Sequence, residues 1–202
     1  MIQAEKICKT YGDRILFTDL SFTIRDGEYV CFSGESGSGK TTILNIIGLL
    51  EPIDSGRLII NGKSSRNRKE LQAYYRNEVG FLFQNFALIE NKTVEQNLKI
   101  VVTDDKNPVS INDALRWVGL EEKKKNKIYT LSGGEQQRIA LARLLMKPCN
   151  IILADEPTGS LDRRNAEIVM TLLEGLHAMG KTVILVSHDE SIKQRAERII
   201  YL

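Results

Sequence analysis

The chain has 202 residues, 42% hydrophobic and 27% charged, the balance of an ordinary soluble globular protein with one good-sized core or two small lobes. A formal net charge of +2 is too small to argue for nucleic acid or a charged membrane surface as the partner. No run of eighteen apolar residues exists and the first residues, MIQAEKICKTYGD, lack an apolar signal core, so a membrane role is expected only through another protein.

Strand-like runs open the chain. Leu20 to Ile24 and Glu28 to Ser33 read as two strands joined by a tight turn at Arg25-Asp26-Gly27. The stretch TTILNIIGLL, from Thr41, has helical spacing and is expected to stop at Glu51-Pro52. Arg57 to Ile60 is a short strand ended by the turn pair Asn61-Gly62, and Val79 to Phe83 is another, followed by Gln84. From about 85 to 147 the period becomes helical: Ile111, Leu115 and Val118 share one face, and Ile139, Ala142 and Met146 another. The basic run Lys123 to Lys127 follows two glutamates and reads as a solvated loop. Asn150 to Asp155 and Thr182 to His188 are continuous apolar runs of the kind found in buried parallel strands, with a helix from about Arg163 to Met179, closed by Gly180, between them. A short helix and ERIIYL finish the chain. Cys8, Cys31 and Cys149 lie far apart with no CxxC spacing; Cys8 and Cys31 read as core thiols, and a reducing cytoplasm is expected.

The chemistry starts at GESGSGKT, Gly34 to Thr41, which matches G-x-x-x-x-G-K-[ST] with a strand before it and a helix after it. Glycines 34, 37 and 39 let backbone N–H groups curl around phosphate oxygens, and the following helix adds the positive end of its dipole. Lys40 is expected to bridge the β- and γ-phosphates, Thr41 to place its hydroxyl on Mg²⁺ and Thr42 to reach a neighbouring phosphate oxygen. A chance match of this pattern arises in about one chain in a hundred of this length, so a nucleotide triphosphate is the expected ligand. Asp155 and Glu156 end a buried strand, where open parallel sheets bind ligands. Asp155 is the natural outer partner of the Mg²⁺, and Glu156 a general base or orienter for the attacking water. His188 ends the next strand and can hydrogen-bond either the γ-phosphate or that water. The Gln84 amide could coordinate Mg²⁺ or contact the water. The order of elements argues for an α/β NTPase core, about 1–84 and 148–202, carrying a helical subdomain at about 85–147.

A second anion cradle lies about ninety residues beyond the first. In LSGGEQQR, Leu131 to Arg138, Ser132 and Glu135 have the spacing of a capping box, and Gly133 and Gly134 bare the helix tip. Each glycine weakens a helix by about 1 kcal/mol relative to alanine, so something other than helix stability favours them.

This stretch resembles the signature motif of ATP-binding-cassette (ABC) ATPases, and the resemblance covers essentially the whole chain: GESGSGKT, Gln84, LSGGEQQR, ILADE, the SLD stretch ending at Asp162, and His188 follow in order. It implies a single P-loop NTPase domain of RecA-like type with an N-terminal antiparallel β subdomain and an inserted α-helical subdomain, binding and hydrolysing ATP with Mg²⁺. In it the nucleotide set becomes Gly34, Glu35, Ser36, Gly37, Ser38, Gly39, Lys40, Thr41 and Thr42, with Tyr11 stacked on adenine and Asp162 added; the catalytic set is Glu156, His188 and Gln84; the metal set is Thr41, Gln84 and Asp155. Two copies are implied to pack head to tail, so that Ser132, Gly133 and Gly134 of one cover the γ-phosphate held by Lys40 of the other. ADEPTGSLD and FQNF further resemble the branch with lipoprotein-releasing, macrolide- or bacteriocin-exporting and cell-division ATPases, in which the ATPase is a chain separate from a membrane permease. That implies a peripheral cytoplasmic subunit on the inner face of the cell membrane, powering export of a peptide or amphipathic compound of bacteriocin type; the alternative is a membrane complex that signals or acts in cell division. Residues Asn85 to Thr93 would line the permease groove, with Phe86, Leu88 and Ile89 either there or in the subdomain core. A DNA-repair or translation ATPase is disfavoured, because no long coiled coil, zinc cluster or second cassette is present. The chain departs from the pattern in ending right after its last strand and in lacking a proline just before the signature.

Overall fold

The computed structural model describes residues 1–83, 85–101, 109–159 and 161–202. Gln84 and Ser160 lie outside the described residues.

Two sheets organise the chain. The first has three antiparallel strands in the order β2-β1-β4: β1 Ile2–Tyr11, β2 Arg14–Ile24 and β4 Ser55–Ile60. The second has five strands in the order β5-β6-β7-β3-β8: β5 Val79–Leu82, β6 Ile151–Asp155, β7 Thr182–Val186, β3 Tyr29–Ser33 and β8 Arg198–Tyr201, every adjacent pair parallel.

The two faces of the parallel sheet belong to two cores. Cys31, Ile152, Ala154, Val183 and Leu185 face one, built with helices α3 Val94–Lys99, α4 Ile111–Val118, α5 Gly133–Met146 and α6 Arg163–Ala178. Val30, Phe32, Ile151, Leu153, Ile184 and Val186 face the other, built with α1 Lys40–Ile47, the antiparallel sheet and Tyr74 of α2 Arg68–Asn77. Side chains alternate along a strand, so burial on both faces demands the continuous apolar runs seen in β3, β6 and β7. A short helix, α7 Glu190–Lys193, precedes β8.

Several expectations shift. The tight turn after β2 is present, with Glu28 N–H donating to Arg25 O at 3.3 Å and Gly27 at φ 75°. The strands it joins do not pair, however: β2 pairs with β1, while β3 enters the parallel sheet. The helix after the glycine-rich loop ends at Ile47, with Gly48 as its cap, short of Glu51-Pro52. Helix α2 had no apolar period to announce it. RKELQAYYRN buries Tyr74 alone, and an Asn67–Glu70 capping box starts it. The Tyr74 hydroxyl donates to Ile47 O at 2.9 Å and so ties α2 to the end of α1. The turn signal at Asn61-Gly62 does form, both residues having positive φ as a two-residue reversal requires. Cys31 and Cys149 are buried free thiols, and Cys8 is half-buried. The lysine-rich segment 123–127 is half-buried to exposed, with Lys123 paired to Glu135 at 3.5 Å.

Strand β4 approaches β1 closely where the register between them shifts, between Glu5 and Cys8. Gly56 sits there at φ +89°, and a Cβ on it would lie 2.3 Å from Lys6 O and 2.6 Å from Ile7 Cα. Both obstacles are backbone and cannot turn aside. Gly56→Ala is therefore expected to lower the unfolding free energy by about 2 to 4 kcal/mol, read as a fall in urea midpoint at unchanged slope.

Candidate active site

Strand β3 ends at the buried Ser33, and the chain turns through residues 34–39 into α1. Gly39 begins that helix at φ 98° with no side-chain cap, so loop backbone and any incoming anion are what meet its first N–H groups. Two of its glycines are tightly placed: Gly37 sits at φ +80°, a backbone region side chains rarely adopt, and a Cβ on Gly34 would lie 2.6 Å from Ser38 Oγ and 3.0 Å from Leu202 O. The Lys40 ammonium folds back over the loop, donating to Gly34 O at 3.0 Å and Glu35 O at 2.8 Å. Ser38 Oγ is buried without a hydrogen-bond partner among the described residues. An uncapped helix start, a lysine able to leave two carbonyls and an orphaned hydroxyl together fit an oligophosphate.

The carboxylates arrive from β6. Thr41 Oγ1 donates to Asp155 Oδ1 at 3.1 Å, joining the start of α1 to the end of β6. Partial burial pushes the Asp155 carboxyl up from its ordinary 3.8; the Thr41 hydrogen bond opposes the shift, Glu156 adds to it and Lys40 counters it. A hydroxyl and a carboxylate paired beside a phosphate loop are hard oxygen donors, so the set fits Mg²⁺. Glu156 follows at φ 43°, a left-handed conformation that costs a non-glycine residue about 1 to 3 kcal/mol and turns its side chain toward the neighbouring strand. His188 Nδ1 lies 2.9 Å from Glu156 Oε1. An ionised carboxylate only accepts, so the ring's Nδ1 carries the proton and Nε2 is left for another partner. The register Asp155↔Val186 between β6 and β7 is what brings these two strand ends side by side.

One cleft of about 770 Å³ is lined by Tyr11, Arg14, Leu16, the loop from Gly34 to Thr42 save Ser38, and then Glu156, Gly159 and His188; Asp155 is not among its lining and meets it through Thr41. A second groove of about 680 Å³, between α2 and the end of α3, includes Tyr75, Ile100 and Lys147 but has neither glycine loop nor carboxylate. Chemistry, then, selects the first.

The signature stretch lies elsewhere. Ser132 caps α5: its N–H donates to Glu135 Oε2 at 2.8 Å, and Glu135 N–H donates to Ser132 Oγ at 3.3 Å. The Ser132 backbone N–H, first among the causes, holds the Glu135 carboxyl below its usual range. A Cβ on Gly133 would meet nothing within 4 Å, so the tip is open there, but Gly134, expected to be bare as well, is buried against Asn165. Ser132 and Gly133 are exposed, and none of Ser132, Gly133 and Gly134 lines the cleft. Asp162 is outside it too, as the cap of α6 that accepts from Asn165 N–H at 2.9 Å.

Two features escaped the sequence reading. Arg14 Nη2 donates to Gly37 O at 2.7 Å, clamping the phosphate loop from the antiparallel sheet. The two-residue turn at Gly12-Asp13 was the available signal, since it sets Arg14 opposite Tyr11. Asn165 joins the Asp162 loop to the signature helix: it accepts from Arg138 Nη1 at 3.1 Å and would stand 2.5 Å from a Cβ on Gly134. No motif in the sequence points to that contact.

A half-buried carboxylate whose pKa is raised has a definite effect on stability. Its contribution is most favourable below the ordinary carboxyl value of 3.8 and is lost as pH rises through the raised value, because the charged form is then desolvated. Asp155→Asn is therefore expected to raise the melting temperature of the nucleotide-free protein at pH 7, with the gain fading as pH falls through the raised value and wild type takes up its proton, read by differential scanning fluorimetry across pH.

The family model described as "ABC transporter" matches residues 17–159. A macrolide export ATP-binding/permease protein, MacB, of Rhodopseudomonas palustris (strain BisB18) is 41% identical over 195 residues, which are 93% of this chain but 30% of that protein. The chain thus spans about a third of the length of such relatives. A protein called "Uncharacterized ABC transporter ATP-binding protein MJ1508", of Methanocaldococcus jannaschii, is 37% identical over 213 residues, covering 100% of this chain and 95% of that one. Among solved structures, the dimeric post-hydrolysis state of the ATP-binding cassette MJ0796, bound to ADP and Pi, matches with a TM-score of 0.87 at 37% identity, over 100% of this chain and 94% of that one. With the phosphate loop, the strand-end carboxylates and the capped glycine tip all in place, these matches show that the chain belongs to the ABC transporter family, as its ATP-binding ATPase domain.

Proposed function

We propose that the chain hydrolyses ATP in a pocket completed by a second copy of itself and transmits the resulting motion to a membrane permease. The observation that carries this reading is the separation of two anion cradles. The phosphate loop opens into the cleft with Thr41, Glu156 and His188, with Asp155 hydrogen-bonded to Thr41 beside it, whereas Ser132 and Gly133 at the tip of α5 are exposed and away from that cleft, with Gly134 buried behind them against Asn165.

The backbone of 34–39 and Lys40 hold the β- and γ-phosphates, and Ser38 and Thr42 add hydroxyl donors. Thr41, Asp155 and Gln84 would hold Mg²⁺, which neutralises charge on the phosphates. Glu156 accepts the proton of the attacking water through one carboxylate oxygen, and the other, Oε1, stays on His188 Nδ1. That leaves His188 Nε2 to meet the γ-phosphate or the water. Tyr11, exposed at the cleft's edge, stacks on the adenine. The partner copy's Ser132 hydroxyl and glycine tip close over the γ-phosphate, and Asp162 shapes the same interface. ATP is buried between copies and holds them together until the γ-phosphate leaves.

The parallel sheet with the antiparallel one forms the α/β core, 1–84 and 148–202, and 85–147 the helical subdomain that carries the signature tip. The permease docks on the segment Asn85 to Thr93. Phe86 and Leu88 pack against the core, while Ile89 is 46% exposed, and Arg143 fixes the backbone by donating to Phe86 O at 3.0 Å and Ala87 O at 2.6 Å. No helix among the described residues is long and apolar enough to cross a membrane, so the permease is taken to supply the span. The cargo is an amphipathic compound or peptide, in keeping with relatives described as macrolide exporters; the complex sits at the inner face of the cell membrane.

Glu156→Gln keeps the hydrogen-bonding shape but not the base. It should retain ATP binding, lower phosphate release at least about 100-fold and give a dimer that persists with ATP on size exclusion. Normal turnover in this variant would refute the role given to Glu156.

A further inference from the structure

Two residues before Tyr11, on the same side of β1, stands a lysine that the reaction scheme does not use. Lys9 is only 5% exposed, unusual for a lysine in a strand. Its ammonium is held at 2.8 Å by Glu51, at 3.4 Å by Asp54 and at 2.9 Å by Pro52 O, all on the loop that follows α1. The same loop grips β1 a second time: Asp54 Oδ2 accepts from Thr10 N–H at 2.6 Å and from the Thr10 hydroxyl at 2.8 Å, and Asp54 N–H donates to Cys8 O at 3.0 Å. Lys9 and then the Tyr11 hydroxyl hold the Glu51 carboxyl below its usual range. The ammonium lies 5.0 Å from the centroid of the Tyr11 ring.

A buried ammonium with two carboxylates is a costly arrangement where an apolar side chain could fill the space. The geometry points to a use. We propose that Lys9 is a positioning residue for the purine base: its charge holds the Tyr11 ring by the ring's quadrupole and fixes the ring's orientation before the nucleotide arrives. A half-exposed tyrosine at the end of a strand otherwise loses rotamer freedom on stacking, and pre-ordering removes that loss from the binding step. The loop 51–54 also follows directly from the helix that begins at the phosphate loop, so base platform and phosphate cradle share one support. The inference rests on the proposed stacking of adenine on Tyr11 and extends it to the residue that orients the platform.

Phosphates and base are held by different elements, so two ligands separate the effects. Calorimetric titration without Mg²⁺, which prevents turnover, compares ATP with inorganic tripolyphosphate. Lys9→Met is expected to weaken ATP about two- to five-fold, the range of a cation–π contact, and to leave tripolyphosphate unchanged. Lys9→Arg, which keeps the charge, restores ATP affinity. Should the methionine variant fail to fold, Lys9→Gln keeps donors for Glu51 and Pro52 O without the charge and makes the same distinction. Unchanged ATP affinity in Lys9→Met, or an equal loss for both ligands, overturns the proposal, the second result marking Lys9 as a purely structural residue. Tyr11→Ala separates the two levels. If it weakens ATP selectively while Lys9→Met does not, only the role of Lys9 fails. If it leaves ATP unaffected, the stacking of adenine on Tyr11 fails and the role of Lys9 with it.

Discussion

The two-sided burial of the parallel sheet is the constraint on which the site depends. With β3, β6 and β7 covered on both faces, their interiors are apolar and the chemistry gathers at their carboxyl ends. Three strand ends then meet at one edge. From β3 comes the phosphate loop, from β6 Asp155 and Glu156, and from β7 His188. The Thr41–Asp155 hydrogen bond and the His188–Glu156 contact are the cross-links that this adjacency permits, each between residues more than thirty positions apart.

Strain and desolvation gather at the same edge. Glu156 takes a left-handed backbone, the Asp155 carboxyl is half-buried, and Ser38 Oγ has no partner among the described residues. None of these helps the empty fold, and the apolar packing behind the strands must offset them. The capped tip of α5 is the opposite case. Ser132 and Glu135 satisfy each other; Asn165 leaves no space for a side chain at Gly134, and the tip is open at Ser132 and Gly133. A folded domain with one strained, partly satisfied cradle and one satisfied, exposed cradle has the parts of an enclosure without its closure.

The sequence made the strand ends legible because the signals were local: an apolar run, then a glycine loop or two acids. It also gave the capping box, whose two partners are three residues apart. Helix α2 was lost because RKELQAYYRN buries a single side chain and so carries no helical period. The pairing of β2 was not legible for a related reason. A turn at Arg25-Asp26-Gly27 is visible locally, but whether its flanking strands pair is decided by β1, whose irregular register with β2 the sequence does not show. Contacts of long sequence separation were out of reach altogether. Arg14 on Gly37 O, Asn165 against Gly134 and Lys9 on Glu51 of the loop after α1 all rest on the meeting of separate elements. Gln84 lies outside the described residues, and its role rests on its place after β5 in the sequence and on the resemblance.

The central claim is that each copy of the chain closes the other's pocket, and complementation tests it directly. Lys40→Ala removes the phosphate-binding lysine and Ser132→Arg blocks the covering tip; each protein alone, shown to be folded by its melting curve, should be inactive. Random pairing of equal amounts makes half the dimers mixed, each with one intact pocket, so about a quarter of the wild-type ATPase rate should return on mixing. A mixture no more active than its separate components would contradict a shared enclosure.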